Sequence, residues 1–153
     1  MIWNLDDQLC FLMYSNFRKI SRIYQDYLEP FQLTYTQYIT LIVLFEKDNR
    51  TISEIGDRLG LDSGTLTPLI KKLEKRGILK RIRGKDDERR VYIELTELGV
   101  KLKEDLMHIP LEMVKHYDLT LEEVKRLYEL LDKTVQWYRQ KSHIYDNIKW
   151  SHP

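Results

Sequence analysis

Cys10 is the only cysteine among 153 residues, and ten tyrosines accompany it. Along one helical face it is followed by Tyr14, Phe17, Ser21 and Tyr24, at offsets of 4, 7, 11 and 14. A free cysteine most often serves as a small buried hydrophobe. Cys10 has a second option because it falls in the first or second turn of a helix, where unpaired N–H groups and the helix dipole favour the reactive thiolate. Tyrosine hydroxyls can donate to a sulfur anion, while Asp6 and Asp7 oppose the negative charge. At ~1.5 Å rise per residue, Tyr24 lies ~21 Å along the helix from Cys10 and cannot reach it within one subunit. If both belong to one site, the helix pairs antiparallel with its copy across a two-fold axis. The alternative is that these tyrosines are half-buried core and interface residues.

The same composition excludes other chemistry. One cysteine cannot build an internal disulfide, a cysteine-based zinc site or an iron–sulfur cluster within a monomer. His108, His116, His143 and His152 show no paired ligand spacing, so neither a metal nor another cofactor is expected. Met1-Ile-Trp-Asn-Leu-Asp-Asp has no basic start or apolar stretch of a signal peptide. The longest largely apolar run, Ile39 to Phe45, is too short to span ~30 Å of bilayer. With 42% hydrophobic residues and a net charge of +1, a single soluble, cytoplasmic domain over 1–153 is expected.

The elements that must position these residues follow from periodicity and caps. Leu9, Leu12, Met13, Phe17, Ile20 and Ile23 predict a helix over 5–28 that Pro30 closes. Thr34-Tyr35-Thr36-Gln37 fits a capping box opening a helix that is apolar around most of its girth, with Tyr38, Ile39, Leu41, Ile42 and Phe45. Ser53 starts a short helix that Gly60 stops, and Asp62-Ser63 caps another through about Arg76, with Gly77 as its left-handed exit. Pro68 is expected to disturb that helix's first turn. Alternation in Ile78, Lys80, Ile82 and in Val91, Ile93, Leu95 predicts a hairpin around Gly84 to Glu88. Thr96 caps a helix containing Gly99, Pro110 restarts the chain, and Thr120 to Glu123 forms a second capping box. The last helix carries Leu121, Val124, Tyr128, Leu131, Val135 and Tyr138 as a stripe that can pack on one partner helix.

Charge is uneven. From Lys71 to Arg90, ten basic residues face Glu74, Asp86, Asp87 and Glu88, a formal +6. A charged run is usually a solvated face. Here it coincides with the second helix of a helix–turn–helix and with the hairpin, elements that enter the DNA grooves with cations on the flanking phosphates. DNA binding is therefore the better reading. Ser63, Thr65 and Thr67 crowd the start of the recognition helix, where phosphate contact and simple capping compete. Lys71, Lys72 and Lys75 continue along it, Arg83 extends the charge into the hairpin, and Leu66, Leu69, Ile70 and Leu73 must pack inward. Asp87 can hold Arg89 extended for a narrow minor groove, or merely pair with it in the turn.

Leu9-Cys10-Phe11-Leu12, Leu33-Thr34-Tyr35-Thr36-Gln37-Tyr38, Leu61-Asp62-Ser63-Gly64-Thr65-Leu66-Thr67-Pro68-Leu69 and Asp87-Glu88-Arg89 resemble the MarR family of winged helix–turn–helix repressors, specifically its organic-hydroperoxide-sensing (OhrR-like) branch. The resemblance covers roughly 5–140. It implies a mainly α fold with a small β-hairpin, a winged lobe over 33–95, and a homodimer held by helices from 1–32 and 96–140. It also implies a pseudo-palindromic double-stranded operator and a peroxide-sensing role for Cys10, with Tyr14, Tyr24 and Tyr35 around the sulfur and cross-subunit contributions. Ser63, Thr65, Thr67 and Lys71 fall in the family's recognition helix, and Asp87 and Arg89 match its wing pair. The second cysteine of two-cysteine members is absent, so a sulfenic acid at Cys10 is expected to condense with a small cellular thiol, cyclise or over-oxidise. Two alternatives are a repressor released by a phenolic ligand and a thiol peroxidase. The second lacks a thioredoxin-like strand pattern and a resolving cysteine.

Overall fold

Side-chain caps decide where most helices begin. In this computed structural model, residues 4–84 and 90–145 are described, with side chains as far as residue 137. The elements are α1 (Leu9–Leu28), α2 (Tyr35–Glu46), β1 (Arg50–Thr51), α3 (Ile52–Leu59), α4 (Ser63–Lys75), β2 (Leu79–Arg83), β3 (Val91–Leu95), α5 (Glu97–Leu106), α6 (Ile109–Val114) and α7 (Leu121–Tyr145). Single 3-10 turns occupy Leu5–Asp7 and Glu29–Phe31. The expected helix over 5–28 is thus divided: Asn4 caps the first short turn, and α1 starts at Leu9 behind Gln8, which supplies no side-chain cap.

Thr34 accepts from the Gln37 N–H at 3.3 Å while the Gln37 side chain accepts from the Thr34 N–H at 2.9 Å, the predicted capping box. A second box, Thr51 with Glu54, opens α3 two residues earlier than Ser53 would have done. That shift has a cause. The Glu54 carboxylate takes the Thr51 N–H at 2.7 Å, and this backbone bond, followed by the Thr51 hydroxyl, holds its pKa below the usual range. Pro68 does not break the start of α4, which is helical throughout from Ser63; the missing N–H removes only the bond to the Gly64 carbonyl. Gly77, at φ 71°, turns the chain out of α4.

The hairpin is antiparallel, with Leu79 opposite Leu95 and Arg83 opposite Val91. β1 adds a third strand, in the order β1-β3-β2, with Arg50 opposite Ile93. Two residues are too few to show alternation, which is why the sequence does not disclose this strand. The fold is therefore mainly helical with a small three-stranded antiparallel sheet.

The chain divides into two compact units, residues 1–114 and 115–153. In the first, Leu33, Leu41, Leu44, Ile55, Leu66, Ile70 and Ile93 are among the buried residues of one core. In the second, Thr120 and Glu123 form the capping box at the head of α7, with the Thr120 N–H donating to Glu123 at 2.8 Å. No helix among the described residues is long and apolar enough to cross a membrane.

Candidate functional site

Two sets of side chains in residues 1–114 have the chemistry anticipated above. The first is the helix–turn–helix. A Cβ on Gly56 would lie 2.6 Å from the Leu61 carbonyl oxygen, so only glycine lets the turn after α3 fold back this tightly. The Leu61 N–H then donates to the Gly56 carbonyl at 3.0 Å. With the turn fixed, α4 buries Leu66, Ile70 and Leu73 and leaves Ser63, Thr65, Lys71, Lys72 and Lys75 exposed, with Thr67 half-buried.

The start of α4 is not a bare cluster of N–H donors. Asp62 accepts from the Thr65 N–H at 2.9 Å and from the Thr65 hydroxyl at 2.9 Å. These bonds, the backbone one first, hold the Asp62 carboxyl below its ordinary range. The Thr67 hydroxyl donates to the Ser63 carbonyl at 2.6 Å. Both threonine hydroxyls therefore donate to acceptors at the start of their own helix.

The basic run sorts into working groups. Arg81 Nε pairs with Glu74 at 2.8 Å and Lys80 Nζ with Glu94 at 3.1 Å. Arg76 donates to two backbone carbonyls, those of Gln32 and Phe31, each at 2.7 Å. Lys71, Lys72, Lys75 and Arg83 are exposed and have no ion pair among the described residues. Their charge is available to phosphates, and three of them lie on the exposed side of α4. Asp87 and Arg89, the expected wing pair, lie outside the described residues.

The second set surrounds the thiol. Cys10 is the second residue of α1 and is exposed. One turn on, Tyr14 is also exposed; its hydroxyl receives the Arg18 guanidinium at 3.5 Å, and the same guanidinium lies 5.7 Å from its ring centre. Tyr24 and Tyr35 meet at 4.8 Å between ring centres with their planes tilted by 55°, although they come from different helices. Phe17 meets Tyr35 edge-on at 6.2 Å, and Tyr38 lies 5.7 Å from Tyr24. Burial, and secondarily the neighbouring Tyr35, pushes the Tyr38 hydroxyl up to about 12.

Because α1 is continuous from Leu9 to Leu28, the ~21 Å between Cys10 and Tyr24 stands. The structure brings Tyr24 and Tyr35 together, with Tyr35 also against Phe17, and keeps Tyr24 far from Cys10 along α1. Tyr38 completes the aromatic group and was not among the tyrosines selected from the sequence. Its position three residues after Tyr35, on the same helical face, was the available signal. Arg76 was counted only as one cation in a run; no sequence pattern marks a side chain that reaches back 44 residues.

Comparisons with known proteins converge on one group. Residues 22–106 match the family described as "Transcriptional regulator SarA/Rot". The organic hydroperoxide resistance transcriptional regulator of Bacillus subtilis is 38% identical over 138 residues, covering 90% of this chain and 94% of its own. The HTH-type transcriptional regulator SarZ of Staphylococcus saprophyticus is 42% identical over 138 residues, with the same shares of 90% and 94%. Among solved structures, reduced AbfR bound to DNA, a protein of Staphylococcus epidermidis, superposes with a TM-score of 0.71 at 35% identity, covering 86% of this chain and 92% of that one.

Proposed function

Because this chain belongs to the MarR/SarA family of transcriptional regulators, we propose that it is a cytoplasmic, non-enzymatic repressor whose hold on operator DNA is switched by oxidation of Cys10. The observation that carries the reading is the arrangement of α1: an exposed thiol near one end, and toward the other Tyr24, in ring contact with Tyr35 and too far along the helix to reach that thiol in the same chain. A two-fold pairing of antiparallel α1 helices puts Tyr24 and Tyr35 of one subunit beside Cys10 of its partner. The apolar side chains of Leu9, Leu12, Met13 and Phe17, all exposed in the single chain, are suited to cover that pairing, with the apolar stripe of α7 adding to the dimer.

In the reduced dimer, two copies of α4 enter successive major grooves of a pseudo-palindromic operator, with Ser63, Thr65 and Thr67 toward bases and phosphates and Lys71, Lys72 and Arg83 on the backbone. Asp87 and Arg89 serve as the wing contact. The Cys10 thiolate attacks the distal oxygen of an organic hydroperoxide; the O–O bond breaks, the alcohol leaves, and the sulfur becomes a sulfenic acid after taking up one proton. A small cellular thiol then displaces water from that sulfur, forming a mixed disulfide. The adduct does not fit beside Tyr14 and the partner's tyrosine pair. The α1 pairing shifts, the spacing of the two α4 helices changes, and the operator is released.

The test is a gel shift on DNA from upstream of the chain's own coding region, with cumene hydroperoxide and with or without glutathione. Wild type should release DNA most completely when both are present. Cys10→Ser should bind with similar affinity and stay bound. A Cys10→Ser protein that still releases DNA on oxidation overturns the proposal.

A further inference from the structure

We propose that Arg76 is a positioning residue: its guanidinium locks the recognition helix α4 to the corner between α1 and α2, and through that lock the redox state of the thiol site reaches the DNA. This rests on the redox reading above. Arg76 is the C-cap residue of α4. Its Nη1 donates to the Gln32 carbonyl and its Nη2 to the Phe31 carbonyl, both at 2.7 Å. A planar guanidinium is the side chain that can serve two neighbouring carbonyls at once, and its bonds are charge-assisted. These carbonyls belong to the end of the 3-10 turn Glu29–Phe31 and to Gln32, which stands at φ 52°, a left-handed conformation uncommon for a residue with a side chain.

The corner lies in the chain between Tyr24 and Tyr35. α1 runs from Cys10 past Tyr24 into this turn, and Thr34 caps α2 two residues beyond Gln32, with Tyr35 as the first helical residue. A displacement of the helix ends that carry Tyr24 and Tyr35 therefore acts on both flanks of the segment whose carbonyls Arg76 grips. Leu28 and Leu33, on either side of the corner, are buried in the same core as Leu66, Ile70 and Leu73 of α4, but the surface side of the junction is open. A pocket of about 210 Å³ opens beside it, between Pro30, Arg76, Ile78 and Leu102. On that open side the polar fork is the directional tie between the corner and the end of α4. It also removes Arg76 from the cations that face phosphates.

Wild type, Arg76→Gln, Arg76→Lys and Lys71→Ala should be compared for affinity to the upstream fragment, reduced and after cumene hydroperoxide with glutathione, over a series of salt concentrations. In Arg76→Gln the ratio of oxidised to reduced Kd should fall by ~10-fold, since coupling of this kind spans 5–150-fold. Arg76→Lys, with a charge but no fork, should fall between Arg76→Gln and wild type. The salt slope should remain that of wild type in both, whereas Lys71→Ala should lower it by about 1. An Arg76→Gln ratio equal to wild type overturns the assignment, as does a salt slope that falls as it does in Lys71→Ala. If Arg76→Gln does not fold, Arg76→Lys decides; if neither folds, Arg76 is a folding residue and the assignment fails. A wild type that never releases DNA on oxidation defeats the redox reading itself, and this one with it.

Discussion

Between Thr34 and Thr96, the helices α2, α3, α4 and α5 each begin on a side-chain cap from Thr34, Thr51, Asp62 and Thr96, and the faces they turn inward are buried. From Leu9 to Phe17, α1 has neither: Gln8 makes no side-chain cap, and Leu9 is 70% exposed, Leu12 48% and Phe17 57%. The only buried residue of α1 is Leu28, at its far end. A surface helix normally hides its apolar stripe against its own domain. The lobe from Thr34 to Thr96 builds its caps and core within one chain, while the thiol-bearing half-helix displays apolar surface that a second copy can cover. A site placed on the unfinished half responds to changes in assembly, and the finished half can stay rigid while it is repositioned.

Three substitutions set the two regions against each other. The largest effect is expected from Leu12→Asp, which puts a carboxylate on the exposed stripe. If α1 is completed by a partner, the dimer dissociates and operator affinity falls by ~10²–10⁴-fold, the loss that follows when two linked half-site contacts become one. Sedimentation should show monomers whose far-ultraviolet circular dichroism is nearly unchanged. A dimer of normal mass would show that this stripe is not the interface. Leu66→Ala strikes the finished lobe instead. Leu66, on α4, is fully buried and packs toward Gly56 of α3, so its truncation should cost ~2–5 kcal/mol in urea unfolding. Unlike the Leu12→Asp effect, this loss should be the same at every protein concentration.

The smallest effect belongs to Tyr38, at the junction of the two regions. Its folded pKa is raised from 10.0 to about 12 by burial and by Tyr35. The stability this represents is fully present below pH 10 and is lost as pH rises toward 12, because the unfolded chain ionises first. Wild type should lose on the order of 2 kcal/mol across that window, and Tyr38→Phe should remove that part of the alkaline slope. An unchanged slope in Tyr38→Phe would place the titration on another tyrosine.

Much of the lobe could be read from residues alone, because caps are local signals. Thr34 with Gln37, Thr120 with Glu123, Thr96 before Gly99, and Gly77 after Arg76 each act within a few positions. The hairpin's alternation and the buried Leu66, Ile70 and Leu73 are local patterns too. Features that depend on distant partners were not legible. β1 owes its existence to Ile93 and Tyr92, more than 40 residues away. The start of α3 depends on which of Thr51 and Ser53 better matches a carboxylate at the third position, and Glu54 favours Thr51. Arg76, Arg81 and Lys80 looked alike as cations until the fold gave each a different acceptor. For the thiol site, helix length alone separates Cys10 from Tyr24, but only the packing of α1 on α2 puts Tyr24 and Tyr35 in ring contact.

That ring contact has a consequence for inheritance. Under the two-fold arrangement, each sensing site takes its sulfur from one gene copy's product and its aromatic pair from the other's. A chain carrying Cys10→Ser and a chain carrying Tyr24→Ala and Tyr35→Ala are each blind alone. Co-expressed, they form mixed dimers in which one site is doubly defective and the other is whole, so two dead alleles can complement each other.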